Sequence, residues 1–128
     1  MSRSTGEAIS TLDVRTAVGL LLVASSSATR YFLRLEPGDG PFLGQLLRHT
    51  GPGSSTLGGD DRWVALQTVH RADEHAGGVT WTPDVVSVGH RHRYGLRPTR
   101  YSDAAWWVQR RVTAITRLDR LPSGVVSA

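Results

Sequence analysis

Between Asp13 and Glu36 the chain alternates apolar with polar residues twice, on either side of a serine-rich break, and a period of two argues against a helix there. Val14, Val18, Leu20 and Leu22 recur at every second position with Thr16 in phase. Leu21 and Val23 fill the opposite face, so this strand is expected to become buried on both sides. Ser25-Ser26-Ser27-Ala28 reads as a turn, after which Tyr31, Leu33 and Leu35 alternate with Arg30, Phe32, Arg34 and Glu36. The two runs predict a hairpin.

The rest of the chain is cut into short pieces by 14 glycines and 6 prolines. Pro37-Gly38-Asp39-Gly40-Pro41 is a breaker cluster. The run from Phe42 to His49 is too short to separate a helical turn and a half from a strand. Residues 51–61 read as a Gly/Ser loop and Arg62 to His70 as a strand, with a second loop over 72–78. Val79 to Thr82 is a short strand stopped by Pro83. Val86 and Val88 place His90, His92 and Tyr94 on their own face, unless Gly89 makes a bulge that switches sides. Residues 102–120 remain open. As a helix capped by Ser102, they line Ala104, Ala105, Val108, Val112, Ile115 and Leu118 along one face, opposite Trp106, Arg110, Arg117 and Arg120. As a strand, Val112 to Thr116 has the β-branched density of a closing element.

With 128 residues, 39% hydrophobic and 20% charged, the chain is long enough for one buried core and too apolar for disorder. No apolar run approaches the roughly 18 residues of a membrane span. Ala17 to Ala24 followed by Ser25-Ser26-Ser27-Ala28 resembles a signal-peptide core, but Glu7 and Asp13 offset Arg3 and Arg15 ahead of it. A core strand and a cytoplasmic protein are expected. Cysteine, lysine and asparagine are absent, which excludes disulfides, thiolate metal sites, cysteine nucleophiles, Schiff-base chemistry and the P-loop. All 15 basic side chains are therefore arginine, giving a net charge of +4 that mildly favours anionic partners.

Ser25-Ser26 with Arg30-Tyr31, then Arg48-His49-Thr50-Gly51, Arg62-Trp63-Val64-Ala65-Leu66 and Arg111-Val112-Thr113-Ala114-Ile115 follow one another in an order that resembles small uncharacterised all-β domains of GC-rich actinobacteria and their phages. The resemblance implies an architecture and no activity. The expected fold is an all-β, single-domain barrel or roll of about five to seven strands. The alternative is an α+β fold with a C-terminal helix at about 103–118. One domain over 11–121 is expected between a loose tail at 1–10 and another at 122–128. Its core should include Val18, Leu20, Leu22, Tyr31, Leu33, Leu35, Val64, Leu66, Val86, Val88, Val112 and Ile115.

The candidate binding segment is residues 90–101, with Arg91, Arg93, Arg97 and Arg100, Tyr94 and Tyr101, two histidines and no carboxylate. Arginines pair with phosphate and a tyrosine face can stack an unpaired base, so a nucleic-acid-binding hairpin is expected. The bland alternative is a solvated hairpin whose arginines pair with Asp60, Asp61, Asp73 or Asp84. His90 and His92, at i and i+2, would grip a metal only with a third ligand from His70, Asp73, Glu74 or His75, and no metal or cofactor is assigned. Gly51-Pro52-Gly53-Ser54-Ser55 lacks the nucleophile-elbow pattern, and no group assembles a nucleophile, a base and an oxyanion site. A non-catalytic binding module is expected. Trp106 and Trp107 are adjacent and must face opposite ways on a strand, so with Arg110 they define the alternative, a protein-interaction or assembly surface.

Overall fold

The computed structural model describes residues 6–36, 42–50, 61–97 and 106–125, and these form strands and turns without a helix. The strands are β1 (Ala8–Ile9), β2 (Thr11–Asp13), β3 (Gly19–Ser25), β4 (Arg30–Leu35), β5 (Gly44–His49), β6 (Trp63–His75), β7 (Gly78–Pro83), β8 (Val85–Ser87), β9 (His92–Leu96), β10 (Trp106–Gln109) and β11 (Val112–Leu118). The all-β architecture that the resemblance implied is the one found, and it fits a small roll. It has more strands than expected because several are only two or three residues long.

The main sheet runs β1-β11-β3-β4-β5-β6-β9-β10, every neighbour antiparallel, and β2 pairs with β8 apart from it. The 13-residue β6 organises half the molecule. Its start pairs with β5, its middle with β9 and its far end with β7. Residues 72–75, expected in a loop, continue this strand, since a two-residue turn at Ala76-Gly77 is enough to reverse it. The segment leading into β9 reaches the start of β11: the Val112 N–H donates to the His90 carbonyl at 2.9 Å and the Gly89 N–H to the Val112 carbonyl at 2.8 Å. Gly44 is required where β4 and β5 cross closely. Its φ of +149° and the Arg34 carbonyl oxygen in the place of a Cβ exclude any larger residue without a backbone shift.

Both faces of β3 and β4 are buried. Leu21, Val23, Tyr31, Leu33, Leu35, Leu46 and Leu66 belong to the main core inside the roll. Leu20, Phe32 and Leu47 lie on the outer side, under Leu118, Leu121 and Val125 from the end of the chain. Each such side chain contributes about 1.5–3 kcal/mol on full burial. Leu20 is buried as expected, but in this outer cluster, against which the half-buried Leu22 packs. Val18 and Val88 are 49% and 39% exposed, because each sits outside a strand in a connecting segment. Residues 8–9, expected in the N-terminal tail, pair with β11, and Val125, expected in the C-terminal tail, packs on Phe32's cluster. The segment 42–49 resolves as strand from Gly44. The C-terminal helix is replaced by β10 and β11, whose pairing with β9 and β3 satisfies the backbone groups that a helix would satisfy internally.

Candidate functional site

On β9, His92, Tyr94 and Leu96 are buried while Arg93 points outward, and Arg91 and Arg97 follow the same alternation. The outward residues of β7, β6, β9 and β10 share one face of the sheet. Here the Arg93 guanidinium carbon lies 4.5 Å from the Trp81 ring centroid and 4.7 Å from that of Trp106, a cation held between two indoles. The His70 ring is 5.9 Å from Trp106. Burial, and then the charge of Arg93, hold the His70 pKa below its ordinary value, so the imidazole is neutral at pH 7.

The indole of Trp106 has its place because the residue opposite is Gly95. A Cβ there would stand 3.0 Å from the Trp106 ring and would overlap the Thr68 hydroxyl. Gly95→Ala is expected to displace Trp106 and cost about 1–3 kcal/mol, the usual range for overpacking. Near-ultraviolet circular dichroism and a thermal melt check this, and an unchanged spectrum with an unchanged melt would refute it.

Three more arginines are stacked on rings of the outer face. Arg34 lies 4.2 Å from Trp63, Arg30 5.7 Å from Phe32 and Arg97 5.9 Å from Phe42. Register aligns them: Arg34 is opposite Gln45, Gln45 is opposite Ala65, and the Arg97 N–H donates to the Ala65 carbonyl at 3.1 Å. A stacked guanidinium keeps its in-plane N–H donors available for a carboxylate or phosphate.

A second set of arginines is neutralised. Arg15 pairs with Asp84, Arg71 with Asp73, Arg117 with Glu7, and both Arg91 and Arg111 approach Glu74. Among the described residues no carboxylate oxygen lies within 4.0 Å of Arg30, Arg34, Arg93 or Arg97. The described arginines thus include five that approach carboxylates and four, Arg30, Arg34, Arg93 and Arg97, that rest on rings with no described carboxylate within 4.0 Å.

Of the residues singled out in the sequence, Arg93, Arg97 and Trp106 come together on this face. Arg110 is exposed just beyond β10. Arg91 is partly neutralised, 3.8 Å from Glu74. Arg100 and Tyr101 lie outside the described residues, as does Ser102. Tyr94 is corrected outright: it is fully buried, stacks on Tyr31 at 5.2 Å, and donates its hydroxyl to Gln109 Oε1 at 2.5 Å. Gln109 in turn donates to the Val23 carbonyl at 2.8 Å. No base can reach the Tyr94 ring, and burial pushes its phenol pKa well above the ordinary value. Trp107, 2% exposed, is likewise a core residue and no interaction residue.

Sequence reading gave Arg30 and Arg34 no place in a site, and did not group Trp63, Trp81 or His70 with the arginines. Their signal was parity: Arg30 and Arg34 alternate with the core residues Tyr31, Leu33 and Leu35, which fixes them on the outer side.

The histidines separate. His92 is buried, and its Nε2 accepts the Ser87 backbone N–H at 3.0 Å. His90 is part-exposed, with Nδ1 2.9 Å from the Ala72 carbonyl and 3.6 Å from Asp73. The Ser87 hydroxyl faces Arg71 and Thr11 instead of an imidazole. Asp73 is held below the usual carboxylate range by the Thr82 hydroxyl and by Arg71.

No protein-family model, curated protein or solved structure matches this chain.

Proposed function

We propose that this chain is a small, non-catalytic nucleic-acid-binding module of the cytoplasm, and that it binds through the arginine-bearing part of the outer face, Arg30 and Arg34 on β4 with Arg93, Arg97 and Trp106 around β9 and β10, beside the cover that Leu121 and Val125 lay over Phe32 and Leu47. The observation that carries the reading is the set of four ring-stacked arginines, Arg30, Arg34, Arg93 and Arg97, without a carboxylate near them among the described residues. Rings hold the guanidiniums in place, so little side-chain entropy is lost when phosphate arrives. The contact surface is wider than the 90–101 segment and draws on β4 as well.

Retention on heparin and DNA at increasing salt tests the reading. Arg34→Ala, Arg93→Ala and Arg97→Ala should each lower the log–log salt slope by about 0.7–0.9, one released counterion apiece, with little dependence on base sequence. Absence of wild-type retention even at about 50 mM salt, where electrostatic attraction is strongest, would overturn it.

A second reading rests on the apolar part of the same face. Val108 is 60%, Trp106 44% and Val79 40% exposed, and such residues mark contact surfaces when they cluster. A protein-interaction module using Trp106 and Arg110 is the conclusion if nucleic acid is not retained.

A further inference from the structure

Trp106 stands between two of the arginines. Gly95 is its partner across the β9–β10 ladder, and Arg93 and Arg97 are the outward residues two places before and two places after Gly95. At about 3.3 Å per residue the two arginine positions are about 13 Å apart along the strand. The indole lies over Gly95, midway between the two positions in register, with Arg93 against its ring.

Duplex and single strand would use this arrangement differently. Both offer phosphates to Arg93 and Arg97. A duplex keeps its base faces inside the stack, so an indole set between two phosphate-binding arginines gains nothing from it. A single strand exposes base faces alternately with phosphates, and base–aromatic stacking is tolerant of sequence. Trp106 keeps 44% of its surface exposed although Arg93 covers one side of the ring. Among the described residues, exposed Val108 follows it two places along β10, Thr68 lies beside Gly95 beneath it, and the tilted His70 ring is 5.9 Å away.

We infer that the outer face takes single-stranded nucleic acid, with an unpaired base against Trp106 and the flanking phosphates on Arg93 and Arg97. The inference rests on the nucleic-acid reading above and adds the form of the ligand.

Fluorescence anisotropy with a labelled oligothymidylate and with a duplex of the same length separates the two claims. Trp106→Ala should weaken single-strand binding about 5- to 150-fold, the equivalent of about 1–3 kcal/mol, and duplex binding far less, through the loosened Arg93 alone, with both salt slopes unchanged because Trp81 still holds Arg93. Trp106→Phe, which keeps an aromatic face, should recover most of the loss, and a melt of each variant shows whether the fold is intact. If Trp106→Ala leaves single-strand binding unchanged, or weakens both forms equally, while Arg93→Ala and Arg97→Ala weaken both, the single-strand inference is wrong and the nucleic-acid reading stands. If the wild-type protein binds neither form at about 50 mM salt, the underlying reading fails and this one with it.

Discussion

Trp107→Ala is expected to destabilise the fold by about 3–5 kcal/mol, and Trp106→Ala by no more than about 1 kcal/mol, although the two residues are neighbours in the chain. Trp107 is 2% exposed, meets Tyr31 edge-on at 6.5 Å between centroids, and faces Tyr94 across the ladder. Removing it empties the space beside two tyrosines that are themselves stacked. The opposite strand β9 cannot easily move in to fill it, because it is held by ladders to both β6 and β10. Trp106 loses only its contacts to Arg93, His70 and the surface of Gly95. Urea unfolding of both variants measures the contrast. Equal losses would mean that the Trp106 ring is covered in solution, which would also remove the proposed stacking face.

The second large effect is on acid stability. His92 has no accessible surface, and its pKa is lowered to about 4, first by burial and then by the charges of His90 and Arg71, with Asp73 opposing. Protonation would also place a hydrogen on Nε2, where the Ser87 N–H already donates. The folded state therefore favours the neutral ring. Above about pH 6.5 neither state binds the proton and His92 has no effect on the pH dependence. Below it the unfolded chain takes up a proton that the folded protein refuses until about pH 4. Stability then falls by about 1.4 kcal/mol per pH unit, on the order of 3 kcal/mol in total, and levels off below pH 4. His92→Gln, which cannot titrate, should flatten the wild-type curve between pH 6.5 and 4 by that amount. Parallel curves for the two proteins would show that another group controls the acid limb.

Some of this was written in local sequence. Alternation over 13–36 is enough for a hairpin, because strand side chains must alternate whatever they pack against. The opposed fates of Trp106 and Trp107 follow from adjacency alone once the segment is a strand. Residues 102–120 were harder, since their apolar positions fit a helical period slightly better than a strand period while Val112 to Thr116 has the β-branched density of a strand. The partners β3 and β9, distant in sequence, decided between them.

Which face is inside was not local either. β3 carries leucines on both sides, and Leu20 with Leu22 looked as suitable for the interior as Leu21 with Val23. The end of the chain decides: Leu121 and Val125 return over Leu20, Phe32 and Leu47, so the side expected to be interior lies under an outer cover. Tyr94 illustrates the same limit at the site. Placed among arginines, it reads as a surface aromatic; parity on β9 puts it inward, and only Gln109 and Tyr31, from other strands, make an interior hydroxyl tolerable.

The sequence by itself determined the β-hairpin over 13–36 and an excess of arginine over carboxylate, because period, turn residues and composition act over a few neighbouring residues. Tertiary structure alone decided which arginines are neutralised. Arg91 and Arg93 are indistinguishable as letters two apart in the chain, yet Arg91 approaches Glu74 while Arg93 rests between Trp81 and Trp106. The difference arises from what β6, β7 and β10 bring alongside β9, and coulombic and ring contacts act over a few ångströms of space, however far apart their partners stand in the chain.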